Sequence, residues 1–203
     1  MARPKDQAER RRQLVAAAER VVLTRGAANV RLLDVAQEAG LTAGAVRYYY
    51  DELEHLLAET RQRATDRFCR QREDAVDACD DPRDQLCAAI SCGLPTGPDD
   101  DLVRLIYELD GQAMRDRSYG VASRAYFDRQ VAVYQPVLRA GETAGVFSLA
   151  APARDIARNL VALEDGLGYY VVVPGTGFDR ATAEALVVSY AETATRCSLR
   201  AAG

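Results

Sequence analysis

The sequence predicts an all-α protein of about nine helices, and three observations predict it. Apolar residues return at three- and four-residue spacing along nearly all of the 203 residues, the repeat of a helix face. No run of strict apolar and polar alternation is long enough to make a strand. Glycines, prolines and acidic clusters interrupt the apolar repeat at spacings that suit helix ends. With 48% hydrophobic and 28% charged residues, the chain holds enough apolar material for one large domain or two small ones, and its composition excludes wholesale disorder and fibrous repeats.

The first helix is expected over about residues 7–25. Leu14, Ala18, Val21 and Val22 share one face, Arg10, Arg11, Arg12 and Arg20 lie largely outside it, and Gly26 closes it as a left-handed cap. A short second helix, about 32–39, buries Leu32, Val35, Ala36 and Ala39 and stops at Gly40. Thr42 offers a hydroxyl N-cap to a third, about 43–50. The fourth, about 52–78, starts acidic, buries Leu53, Leu56 and Leu57, then turns basic; its arginines at 61, 63, 67, 70 and 72 read mostly as a solvated face. Asp80, Asp81 and Pro82 break the chain, with Pro82 in the first turn of a fifth helix that runs to about residue 94.

After a loop over 95–98, the acidic triplet Asp99, Asp100 and Asp101 suits a helix N-terminus, and Leu102, Leu105, Ile106 and Leu109 mark a sixth helix ending near Arg115. The seventh, about 119–144, contains Pro136, which removes an interior amide donor and is expected to kink it one turn earlier. The last two, about 153–173 and 180–199, are the most apolar. Ile156, Leu160, Leu163 and Leu167 on one and Leu186, Val187, Tyr190 and Ala194 on the other exceed what a single packing partner needs, and read as a dimer interface, with ordinary core packing the alternative.

Several function classes lose support at this level. The five cysteines, Cys69, Cys79, Cys87, Cys92 and Cys197, are odd in number and lack CxxC spacing, so free thiols packed as small hydrophobes are expected. The single histidine, His55, lies where a solvent-facing residue serves, which removes most zinc sites and most nucleophile–histidine pairs. No enzyme, cofactor or metal is expected. The longest late stretch without charge, residues 166–178, is shorter than the roughly 20 residues of a membrane span, and the N-terminus has no apolar signal segment, so the expected location is cytoplasmic, with no membrane partner.

Charge is distributed unevenly. Residues 1–50 hold nine Arg or Lys against five Asp or Glu, a net of +4, so the remainder carries −8 of the total −4. A basic head on an acidic body suits a polyanion at the head. There, two short helices joined by a tight turn at Gly40, Leu41 and Thr42 fit a helix-turn-helix, whose second helix enters the DNA major groove. The segment reads DVAQEAGLTAGAVRYYYDELEHLL over residues 34–57. It resembles the DNA-binding domain of the tetracycline-repressor (TetR) family of bacterial transcriptional regulators: an apolar-Ala pair at 35–36, the turn at 39–42, a small recognition helix ending in aromatics at 44–50, and the acidic-x-Leu-Leu opening of the next helix at 54–57. Downstream, Gly145, Val146 and Phe147, then Ala151 and Pro152, then the Leu-Glu-Asp-Gly-Leu run at 163–167 resemble the eighth helix of such regulators.

The resemblance implies a DNA-binding domain over 1–51 and an effector-binding and dimerisation domain over 52–203. It places Thr42, Ala43, Ala45 and Tyr48 against the groove, Val46 and Tyr50 inward, and Thr42, the turn amides around Gly44, and Tyr49 at phosphate, with Arg31 a further phosphate contact. Arg47 stands where the family usually has an aromatic and Leu53 where it usually has a phosphate-contacting lysine. Arg47 either restores a phosphate contact or reads guanine. Arg3, Lys5 and Arg10 to Arg12 are read as an arm reaching the minor groove or its phosphates. The implied effector pocket takes Tyr107, Asp110, Gly111 and Met114 from one helix, Tyr126, Gln130 and Tyr134 from the next, and Asp165 and Tyr169 from the eighth. The expected function is a one-component regulator, a repressor, that binds a palindromic double-stranded operator as a homodimer and leaves it when a small-molecule effector binds. The alternative is a ligand-binding or interaction protein with only weak, non-specific DNA affinity.

Overall fold

The computed structural model describes residues 4–111 and 117–199. Among them the chain forms nine α-helices and no strand: α1 (Pro4–Arg25), α2 (Leu32–Glu38), α3 (Ala43–Arg47), α4 (Leu53–Asp77), α5 (Pro82–Gly93), α6 (Asp101–Asp110), α7 (Arg117–Thr143), α8 (Ala153–Val172) and α9 (Arg180–Thr195). The all-α expectation holds. A turn of 3-10 helix, Ala27–Asn29, adds an element that periodicity does not reveal.

The boundaries differ from expectation where backbone chemistry outranks side-chain period. Gly26 does end α1, but at φ 75° and ψ 144°, outside the left-handed helical well and in a region that side-chain-bearing residues avoid. α9 stops at Thr195 because Arg196 turns left-handed at φ 50°, and the last carbonyls of the helix receive Ser148 N–H (to Thr195 O, 2.8 Å) and Ala150 N–H (to Ala194 O, 2.8 Å) from the segment before α8. α6 ends at Asp110, and the expected end near Arg115 lies outside the described residues. α7 continues through Pro136 as a single helix. α5 begins as expected: Asp81 caps it by accepting from Arg83 N, and Pro82 occupies the first turn, where no amide partner is missed.

The chain divides into two compact units that interleave in sequence. Unit 1 comprises residues 1–66 and 101–123, with α6 packed on α1. Its core includes Leu14, Val15, Ala18, Val22, Val35, Ala36, Val46, Leu56, Leu57, Leu105 and Leu109. The Glu108 carboxylate of α6 also accepts the Ala27 N–H at 3.0 Å, fixing the start of the 3-10 turn.

Unit 2 comprises residues 67–100 and 124–203. Its core gathers Val76, Leu86, Ile90, Val131, Leu138, Phe147, Ile156, Leu160, Val187 and Ala191. α8 packs on α9, and α5 on both. The Arg180 guanidinium, at the start of α9, donates to Ser91 O (3.0 Å), Leu94 O (3.3 Å) and Pro95 O (3.0 Å), placing a cation on the carbonyl end of α5.

Candidate nucleic-acid interface

The helix-turn-helix is held by its backbone. At the end of α2 the Leu41 N–H donates to Ala36 O (2.8 Å) and the Gly40 N–H to Gln37 O (3.1 Å), the paired bonds of a Schellman turn, with Gly40 at φ 66°. Thr42 then caps α3, its hydroxyl accepting from Ala45 N at 3.2 Å. Upstream, the Asp34 carboxylate accepts the Arg31 N–H at 2.9 Å, which starts α2, and pairs with Arg25 at 2.8 Å.

These bonds orient α3 so that one face is buried and the other displayed. Val46 is fully buried and Tyr50 nearly so, whereas Thr42, Gly44, Arg47 and Tyr48 are exposed, with Ala43, Ala45 and Tyr49 half-buried beside them. Tyr48 is 70% exposed, and its ring meets that of Tyr49 edge-on at 5.1 Å. Arg31 is exposed at the start of α2, on the same compact unit. His55 is exposed.

Of the basic N-terminal residues, Arg10, Arg11 and Arg12 lie within α1. Arg10 donates to Gln13, Arg12 pairs with Glu9, and Arg11 reaches Glu59 on α4 at 3.1 Å, all from within α1. Arg3 lies outside the described residues, and Lys5 falls in the first turn of α1. Sequence reasoning missed Glu59, which accepts from three residues: the Tyr50 hydroxyl (2.8 Å), Arg11 Nη2 (3.1 Å) and Nε (3.3 Å), and Arg63 Nη2 (2.6 Å). The Arg11 guanidinium also lies 4.6 Å from the centre of the Tyr50 ring.

Burial pushes the Glu59 carboxyl up, but the hydrogen bonds from Tyr50, Arg11 and Arg63 outweigh it and hold the group below its ordinary value of 4.5. Burial together with Glu59 pushes the Tyr50 hydroxyl up to about 12. A carboxyl whose folded-state pKa is depressed contributes stability that is present above its unfolded value and lost as pH falls through the folded one. Unfolding titrations from pH 6 down to about pH 3 are therefore expected to show a loss of stability that is smaller in Glu59→Gln than in the wild type; equal losses would refute this role.

The residues read as an effector pocket are divided between the two units. Tyr107, Asp110 and Gly111 belong to unit 1; Gly111 is exposed, and Asp110 pairs with the buried Arg61 at 2.6 Å. Met114 lies outside the described residues. In unit 2, Tyr126 meets Phe68 edge-on at 6.2 Å, and Gln130 and Tyr134 are buried. Asp165 and Tyr169 point outward on α8, contrary to their expected inward placement. The inward acid is Glu164, one residue and thus about 100° around the helix from Asp165.

Glu164 carries both oxygens to Arg72 Nη2, at 2.8 and 2.7 Å, and accepts the Tyr134 hydroxyl; Arg72 Nη1 donates to Gln130 Oε1 at 3.3 Å. Arg72 and Arg61 are buried, contrary to their reading as solvated. Burial works against the Arg72 charge, but Glu164 and Tyr134 hold its pKa above the ordinary value; burial pushes the Glu164 carboxyl up to about 7.

Unit 2 also forms two open grooves. One, of about 680 Å³, lies among Thr96, Pro98, Val173, Phe178, Arg180 and Glu184; the other, of about 500 Å³, among Glu73, Arg129, Val133 and Pro136. None of the residues read as an effector pocket lines either of them.

The expected dimer residues split. Ile156, Leu160, Val187 and Ala194 are consumed by the core of their own chain, because one face of each helix suffices to pack α8 against α9 and α5. Leu163, Leu167 and Tyr190 are half-buried, and Leu186 is 49% exposed. Four of the five cysteines, Cys69 excepted, are only partly buried. No described helix is long and apolar enough to cross a membrane.

Known proteins share this architecture. A family model described as the C-terminal domain of BetI-type transcriptional repressors matches residues 82–196. An HTH-type transcriptional regulator BetI of Agrobacterium fabrum is 27% identical over 186 residues, covering 89% of this chain and 85% of that protein. Among solved structures, a TetR transcription regulator from Haloarcula marismortui superposes with a TM-score of 0.83 at 24% identity, over 92% of this chain and 98% of that one. A transcriptional regulator from Saccharomonospora viridis, crystallised in complex with choline, superposes with a TM-score of 0.82 at 24% identity, over 91% and 96%. The family model spans more than half of the chain, and the protein therefore belongs to the TetR family of transcriptional regulators, with a C-terminal domain of the BetI type.

Proposed function

We propose that the protein is a one-component repressor that binds a palindromic DNA operator as a homodimer and is released by a small-molecule effector. The observation that carries this reading is the display of Thr42, Gly44, Arg47 and Tyr48 on the open face of α3 while Val46 and Tyr50 anchor the opposite face. Residues 1–51 then read DNA: Arg47 and Tyr48 reach base edges or backbone, and Arg31, Thr42 and Tyr49 hold phosphate. Residues 52–203 supply dimer contacts and effector binding.

The dimer interface is assigned to the outward faces of α8 and α9. Ala162 and Gly166 on one, and Leu186 and Ser189 on the other, are exposed, and three of these four side chains are small, which suits a close approach of two helix pairs. Leu186→Glu is expected to turn a dimer into a monomer in sedimentation equilibrium with helix content unchanged; a dimer of undiminished strength would refute the assignment.

The choline complex of the Saccharomonospora viridis regulator makes choline the first effector to probe. Release follows if the effector binds better to a conformation whose recognition helices are wrongly spaced. The test is to footprint the full-length protein on DNA flanking its own gene, then add choline and related metabolites. Protection of two half-sites about one helical turn or somewhat more apart, lifted by a metabolite, supports the reading. Salt-dependent binding without sequence preference would support the interaction-protein alternative instead.

A further inference from the structure

We propose that Glu59 is a positioning residue for DNA reading. By holding the Tyr50 hydroxyl and the Arg11 guanidinium on one carboxylate oxygen, it sets the angle at which α3 presents its outer face. The proposal rests on the DNA-binding reading above.

α3 has five residues, too few to hold a helix in isolation, so its orientation comes from what ties its two ends. The N-terminal end is tied to α2 through the Schellman turn at Gly40. The C-terminal end is tied by Tyr50, whose N–H donates to Val46 O at 3.0 Å and so moves with the last turn of α3. From there the Tyr50 side chain runs inward, 2% exposed, to Glu59 Oε2. That same oxygen receives Arg11 from α1, and Oε1 receives Arg63 from α4 itself. Three segments, α1, the end of the reading helix and α4, thus converge on one carboxylate. The Arg11 guanidinium covers the Tyr50 ring and closes the arrangement.

An isolated surface ion pair contributes little to anything. This one differs because its central donor is a buried phenol, and because the part it orients is the part that reads. Two residues further along α4, on its opposite side, Arg61 donates to Asp110 (2.6 Å) and Ser123 (3.1 Å), so the helix carrying Glu59 is itself pinned within the same unit. Glu59 acts from a fixed point.

The experiment measures affinity of the full-length protein for the footprinted operator fragment by fluorescence anisotropy, across a salt series, for the wild type, Tyr50→Phe, Glu59→Ala, the double variant and Glu59→Gln. Tyr50→Phe and Glu59→Ala are each expected to weaken binding about tenfold, at the low end of what a hydrogen bond to a charged group contributes. The double variant is expected to bind no more weakly than the worse single, since one bond is removed twice. Glu59→Gln keeps an acceptor oxygen and is expected to restore most of the affinity, which a general loss of packing would not allow. The salt slope is expected to stay at the wild-type value, because no phosphate contact is lost. Tyr50→Phe removes a single oxygen and serves where Glu59→Ala folds poorly. Wild-type affinity in Tyr50→Phe, losses that multiply in the double variant, or a reduced salt slope would each overturn the proposal. A wild-type protein without sequence-specific binding would instead overturn the DNA-binding reading itself.

Discussion

Changing Arg47 and Tyr48 together to alanine is expected to weaken operator binding by a hundredfold or more while leaving helix content and dimer mass as in the wild type. Both side chains are exposed at the end of α3, Tyr48 at 70%, so truncation costs the fold about 0.5 kcal/mol or less. A bidentate arginine on guanine is worth about 1–3 kcal/mol of discrimination. The Tyr48 ring, standing edge-on to Tyr49, adds a second contact at the same surface. The two single variants separate the roles. If Arg47 reads guanine, Arg47→Ala relaxes preference at one base pair; if it holds phosphate, affinity falls alike on all sequences and the salt slope drops by about one. Specific binding retained in the double variant would refute the assignment of α3 as the reading helix.

The second large effect is expected in the buried pair of unit 2. Glu164→Met removes the partner of a fully buried guanidinium that cannot shed its charge, and is expected to lower stability by about 3–5 kcal/mol in denaturant titrations. Arg72→Met leaves a carboxyl instead, and a carboxyl can neutralise itself by holding a proton. Its folded-state pKa then lies above its unfolded one, so stability is fully present below the ordinary carboxyl range and is lost as pH rises. Arg72→Met is accordingly expected to be milder at pH 5 than at pH 8. The double variant Arg72→Met, Glu164→Met is expected to recover most of the loss, since apolar side chains of similar length replace both charges. A double variant as unstable as Glu164→Met alone would show that packing, not charge, governs the site.

The helices and the reading head were legible because their signals are local. Gly40 for a left-handed turn, Thr42 for an N-cap and Pro82 for a first turn each act within a few residues of themselves. The buried charges were not, because residue type was allowed to outrank position. Arg61 and Arg72 are eleven residues apart, three helical turns, and so share the inward stripe of α4 with Ala64, Thr65, Phe68 and Val76. The period pointed them inward; their charge argued for solvent. On α8 the error was one residue, Asp165 for Glu164, and on a helix one residue is enough to exchange inside for outside. Glu59 left no local mark at all, since its partners Arg11 and Tyr50 come from separate segments.

The sharing of α1 between the helix-turn-helix and α6 bears on how such regulators can be recombined. A chimera cut after residue 51 would carry the reading helix but leave behind α4 with Glu59, Leu56 and Leu57, and α6 with Leu105 and Leu109, all of them part of the unit that holds the head together. The transplantable piece is therefore defined by packing and not by a cut in the chain. Any exchange of specificity between two such proteins works by altering the few outward residues of α3 in place, with the whole interleaved unit left native beneath them.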